Sequence, residues 1–360
     1  MRFEMMLCYA SVMVFLGLSL HLLDYLCHIP PKLRLKDGRI SSKGYMRLSQ
    51  DVLFALKFKS YDNILGVSSF IRAYLYMCAA GVLFNHYGSI LVKCLMILYV
   101  SCRLRALQEL SHFAIHGVLC PSFKLGHLWA NIFYQYPLGL PTASARYQSH
   151  VLNHHPNANT PNKDPNLQDY INIGFAPGIT IKRFWLSVLY PLSVRGIGDR
   201  VRTYFNVWKD NCIPRIIVVA AIIFPLVIFG LWSELICLYL IPCIIIHPFL
   251  AWISQLVEHR WFYRIEASSG LEIQYAYGKV IEFPGLFGLV IKHNFFPFGD
   301  AYHLAHSLYP TIRWNYLRTV HVFCKEHDTR YRSRINTGVL WRAGENVSAL
   351  RELMNDMRLN

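Results

Sequence analysis

Charge is what this 360-residue chain is shortest of: Asp, Glu, Lys and Arg together make up 16% of it, where a soluble domain carries about 25%. With 54% hydrophobic residues and a positive mean hydropathy, the composition excludes an ordinary globular surface and points to a membrane protein. Acidic residues are the scarcer sign, 21 against 36 basic, a formal charge of +15. No CxxC occurs among the ten cysteines, which excludes a zinc ribbon or a rubredoxin-like module. The cysteines are scattered, several within apolar runs (Cys8, Cys78, Cys94, Cys237, Cys243), and a reduced state is expected. The chain also lacks H-E-x-x-H, G-x-G-x-x-G and His-Pro-Gly-Gly. Those absences argue against a zinc protease, a fused dinucleotide-binding fold and a fused cytochrome b5. No internal repeat or low-complexity tract stands out.

What the chain has instead is apolar runs near bilayer-spanning length, roughly 20 residues. The first, Met5 to Leu26, is too long for a cleaved signal and lacks a small-residue cleavage site, so it reads as a membrane anchor. Val67–Phe84 and Ser89–Leu107 lie close enough to form a hairpin of two spans, and Ile216–Trp232 with Leu235–Leu256, broken at Ser233 and Glu234, form a second. The expected fold is therefore all-α integral membrane: two transmembrane helical hairpins plus a probable N-terminal span, with a cytoplasmic helical cap. By sequence the chain divides into an anchor (1–29), a basic segment (30–64), a membrane domain (65–310) and a tail (311–360). Lys32, Arg34, Lys36, Arg39, Lys43, Arg47, Lys57 and Lys59 crowd the basic segment while the hairpin tips carry none, so the positive-inside rule puts the polar regions in the cytoplasm. The positive charge suits anionic headgroups of membrane lipid, and no basic recognition helix suggests nucleic acid.

Nine of the sixteen histidines gather where apolar runs end. His112 and His116, four apart, share a helix face about 6 Å along the axis and can reach one metal. His150 and His154 repeat that spacing, with His155 expected to point about 100° away toward a second centre. His303 and His306 stand three apart, and His259 follows the last apolar run within Val257-Glu258-His259-Arg260. Crowded buried imidazoles without a metal are costly. Eight of them from four segments exceed one zinc and suit two irons, while the lack of Glu-x-x-His argues against a carboxylate-bridged bundle site.

H-x3-H after a hairpin, H-x3-H-H about 35 residues on, a second hairpin, then H-x-x-H followed by Leu308-Tyr309-Pro310 resembles the membrane fatty acid desaturase and alkane hydroxylase superfamily. Tyr302-His303-Leu304-Ala305-His306-Ser307-Leu308-Tyr309-Pro310 resembles the acyl-lipid desaturases. His154-His155 followed by Thr160-Pro161 and Asp164-Pro165, and the pair Glu258-His259, are similar to the alkane hydroxylases. Ser307 stands where the family has a last histidine, which leaves His293 as a possible substitute ligand, a water held by Ser307, or a weak second site.

The resemblance implies two ferrous ions, Fe(2+), held by His112, His116, His150, His154, His155, His259, His303 and His306, with Glu109, Asn153, Asp164, Glu258 and Asp300, or Asn157, as acceptors behind them. It implies O2-dependent removal of hydrogen from an aliphatic substrate, desaturation first and hydroxylation as the alternative, with a non-catalytic histidine scaffold as a third reading. Electrons would come from an external ferredoxin, rubredoxin or cytochrome b5-type donor with its reductase. The Gln168–Arg202 stretch is expected to pack or to lie at the interface, and Ser348–Met357 to form a surface helix without chemistry.

Overall fold

A computed structural model describes residues 2–41, 45–263, 270–342 and 344–359; Lys43 of the basic segment lies outside them. The chain is mostly helical, and its strands among the described residues are three-residue pieces. Gly38–Ile40 pairs antiparallel with Met46–Leu48, and Val280–Glu282 pairs parallel with Ile335–Thr337. By length and composition three helices are apolar enough to cross a membrane: Glu4–Cys27, Asp62–His86 and Trp232–Glu258. The helix Ile90–Ile115 is long enough too, but it buries Arg103, Arg105 and Glu109 in its second half, and Cys212–Ile228 is shorter, at 17 residues. The break expected at Ser233 and Glu234 falls earlier, between Ile228 and Trp232. There Gly230 takes φ +67°, a left-handed turn that glycine makes without a side-chain clash.

The chain forms two compact units, each assembled from separate stretches: residues 1–27, 60–145 and 191–251 in the first, and 28–59, 146–190 and 252–360 in the second.

In the first unit the N-terminal helix packs along Asp62–His86, which packs in turn on Ile90–Ile115. Gly17 permits the close approach, because a Cβ there would collide with the Tyr76 ring. Every residue of Val100–Ile115 is buried, so the polar groups on that stretch are served from within: Arg105 pairs with Glu109 at 3.0 Å and Ser111 accepts from Gln135 at 2.9 Å.

In the second unit an aromatic cluster of Tyr170, Phe175, Trp252 and Trp261 forms the core, with Tyr170–Trp261 centroids 4.6 Å apart. Phe175 is buried in it, whereas Trp185 and Leu189 on and after the helix Ile181–Val188 are exposed. The tail helix Ala349–Leu359 is bound by two ion pairs, Asp356 to Arg260 (2.7 Å) and Glu352 to the buried Lys279 (2.7 Å). Arg260 is the residue after His259, so the tail braces the segment that carries that histidine.

Candidate metal centre

The second unit brings histidines from three segments together around His259. His154 Nε2 lies 3.3 Å from His259 Nε2, and His303 Nε2 lies 3.1 Å from the same atom. All three side chains are buried. The His154 Nδ1 faces Asp164 Oδ1 at 2.9 Å, and a carboxylate only accepts, so this nitrogen carries the proton and Nε2 presents its lone pair. Asp164 is itself fixed by the backbone N–H groups of Asn166 (2.9 Å) and Asn159 (2.8 Å). Burial pushes the His259 imidazole well below its ordinary pKa, with the charges of His154, His155 and Lys279 adding to the effect, so His259 is held neutral.

A single N–H on His259 Nε2 cannot make full hydrogen bonds to both neighbouring Nε2 atoms at these distances, so at least one lone pair is left poorly served. A cation between them removes the conflict. Two imidazoles on one transition metal, each at about 2.1 Å and at right angles, put their nitrogens about 3 Å apart, which is the spacing found. Glu258 offers a further oxygen, since a carboxylate atom and one nitrogen each of His259 and His303 lie within 4.8 Å of one another. The donor set fits a first-row metal such as iron.

The remaining imidazoles of this unit form a second group. The stretch Tyr147–His154 is a π-helix, whose i→i+5 hydrogen bonds change which side chains align. His150 Nε2 meets His155 Nε2 at 3.2 Å, while its ring also stacks on that of His154, the neighbour an α-helical spacing predicts, at 5.3 Å between centroids. The His154 nitrogens face Asp164 and His259. Pro156 follows directly, and its missing N–H and bulky ring disfavour regular α-helix there. His155 and His306 bring ligand atoms within 4.8 Å.

In the first unit His112 and His116 sit at the end of Ile90–Ile115, Nε2 to Nε2 at 3.1 Å. His112 Nδ1 faces Glu109 Oε2 at 3.2 Å, while the other oxygen of Glu109 holds Arg105.

His293 and Asn153 stand apart from these groups, whereas Glu258 belongs to one of them. His293 is exposed near the end of the helix Gly285–Asn294. Asn153 is exposed, and its carbonyl accepts from the Asn157 side chain at 2.8 Å. Asp300 accepts from Ser254 at 2.8 Å, and Ser254 also reaches Glu258 at 3.4 Å, so this serine ties together two acids near His303. Glu258 is 3.9 Å from His303 Nδ1. Ser307 is buried, and its hydroxyl has no hydrogen-bond partner among the described residues. Sequence reasoning passed over Trp261, whose ring lies 5.0 Å from His259 and 5.8 Å from His154, and over Lys279. A tryptophan two residues beyond a candidate ligand was the available signal.

Comparison with known proteins agrees with the geometry. The model of the family described as fatty acid desaturase matches residues 88–335. A curated relative, the dihydrorhizobitoxine desaturase of Bradyrhizobium elkanii, is 24% identical over 269 residues, covering 70% of this chain and 72% of the relative. No solved structure matches.

Proposed function

The chain belongs to the fatty acid desaturase family, and on that premise we propose that it is a multi-pass membrane di-iron desaturase, O2-dependent, that introduces a C=C bond into the aliphatic part of a lipid or lipid-like metabolite. The convergence of His154, His259 and His303 through their Nε2 atoms, backed by Asp164, carries the reading. A network that fixes one ring nitrogen with a carboxylate and leaves the other facing its neighbours is the pattern of metal-ligating imidazoles.

Iron, when bound, supplies the activation of dioxygen and the removal of hydrogen from an unactivated C–H bond. The chain's own residues do the rest. Asp164 sets the tautomer and direction of His154, Glu109 does the same for His112, and burial keeps His259 unprotonated and ready to ligate. His116, His150, His155, His303 and His306 complete the proposed ligand set. In this reading electrons come from an external ferredoxin, rubredoxin or cytochrome b5-type carrier with its reductase, and the basic segment's charge supports a cytoplasmic side for the histidine boxes and C-terminus.

Hydroxylation in the same site is the second reading. Asp164 and the Glu258-His259 pair, whose sequence context resembles alkane hydroxylases, belong to the group with converging nitrogens. Mass spectrometry of lipid and metabolite extracts from cells expressing the protein separates the readings. A product short of two hydrogens means desaturation, and one with an added oxygen means hydroxylation. No product, together with purified protein that holds no iron, would leave a histidine scaffold without catalysis and overturn both.

A further inference from the structure

Inside the first unit lies a cavity of about 490 Å³ that the histidine chemistry does not use. Its walls are almost wholly apolar. Met5, Met6, Met13 and Met77 supply unbranched thioethers that adapt to a flexible guest, and Gly81 leaves room on one wall. One acid, Glu234, lines the cavity with Asn85 beside it, and Glu234 accepts hydrogen bonds from Ser233 (2.6 Å) and Asn85.

Near the cavity wall the first unit gathers a polar trio. His247 Nε2 is 3.1 Å from Gln108 Oε1 and 3.4 Å from the Tyr134 hydroxyl, and all three residues are buried. Each of the three stands four residues from a cavity-lining residue: Gln108 from Leu104, Tyr134 from Leu138, His247 from Cys243. Along the helix Ile90–Ile115 and its cap, Leu104, Gln108, His112 and His116 follow one i, i+4 row, which advances about 6 Å and winds about 40° per step. The cavity, the trio and the histidine pair therefore follow one another along a single helical stripe. Polar side chains within a membrane-spanning bundle mark a ligand path more often than a packing device.

We propose that this cavity holds a single unbranched aliphatic chain whose hydroxyl or amine head donates to Glu234, and that Gln108, Tyr134 and His247 limit how deep the chain runs toward His112. The claim that the bound chain is the substrate rests on the oxidative reading above; the binding does not. The cavity lies within the roughly 300–1,000 Å³ range of small-molecule sites. A hydrogen-bond acceptor at Glu234 suits an alcohol or ammonium head, and the methionine-lined walls suit methylenes.

The test uses full-length protein in nanodiscs and a long-chain alcohol carrying a diazirine near its methyl end. Photolysis and peptide mapping should place the label within residues 74–104 and 222–243. Gly81→Phe and Leu226→Trp, both at cavity-lining positions, should each cut the yield by about tenfold or more, while Val194→Trp, at an exposed position outside the cavity, should leave it unchanged. Gln108→Ala should move the label past residue 108 toward His112. Labelling that ignores both filling variants, or that spreads over the exposed residues Phe15, Leu18 and Leu22, would show bulk lipid contact only and overturn the site. Labelling that follows the variants in iron-free protein upholds the pocket even if the oxidative reading fails. Iron-loaded, active protein without such labelling overturns the pocket alone.

Discussion

His321 and His259 are both buried histidines of the second unit, yet their surroundings differ in kind. His321 has a complementary partner on each ring nitrogen, the Tyr331 hydroxyl at 3.0 Å and Glu282 at 3.1 Å, and its ring stacks on Tyr302 at 4.5 Å. His259 Nε2 is faced by two other Nε2 atoms, and its Nδ1 has no hydrogen-bond partner among the described residues. The first imidazole is satisfied as it stands and ties the fold together. The second is faced by more nitrogen lone pairs than one proton can serve, an arrangement that suits a cation. Residue type and burial are shared; the partners decide which histidine is structural and which binds.

Replacing each tests the contrast most severely. His259→Ala should cut iron retention by more than the roughly 10–100-fold that loss of an outer carboxylate costs, as read by metal analysis of the purified protein. His321→Ala should keep its iron and instead lower stability by about 3 kcal/mol, because Tyr331 and Glu282 each lose a buried partner. Iron lost in both variants would dissolve the distinction.

Acid should act on the His321 side. The hydrogen bond from His321, with Lys325 next, holds the Glu282 carboxyl down at about 2 from 4.5. A depressed carboxyl contributes stability in full above its unfolded value, so the contribution is present above pH 4.5 and fades as pH falls toward 2, by up to ~3 kcal/mol. Glu282→Gln should flatten that part of a pH–stability curve, and an unchanged curve would place the acid sensitivity elsewhere.

On the metal side, Asp164→Asn should weaken iron binding by about 10–100-fold with little change in fold, since an amide of equal size is a poorer acceptor for His154. An equal loss from Asn153→Ala, at an exposed position, would break the link between a buried carboxylate and ligand basicity. Smallest is Ser307→Ala. The hydroxyl has no partner to lose, so stability should stay within about 0.5 kcal/mol and iron content should not move. Loss of iron there would make Ser307 part of the metal shell.

Membrane character, the helical class, the four histidine-bearing segments and the carboxylate Asp164 were legible along the chain, because each rests on local composition or short spacing. His112 and His116 are the clearest case, four apart on a helix that runs unbroken to Ile115. The second box was legible in membership and only partly in geometry: its i, i+4 spacing predicts the stack of His150 on His154, and not the Nε2 contact of His150 with His155 within the π-helical stretch. Helix type is settled by the widened turn before Pro156 and by what pulls on His154, neither of which spacing records. The turn at Gly230 was missed because the polar residues Ser233 and Glu234 look like a better break than a glycine three residues earlier.

By itself, then, the sequence determined a chain rich in helix, with apolar stretches long enough to cross a membrane and histidines gathered in separate segments, since hydropathy and i, i+4 spacing act locally along the chain. Only the tertiary structure decided that His154, separated from His259 by more than a hundred residues, meets it nitrogen to nitrogen, that His303 meets His259 in the same way, and that His321 does not join them. Which lone pair faces which is set by packing between distant segments, and no local rule carries that information.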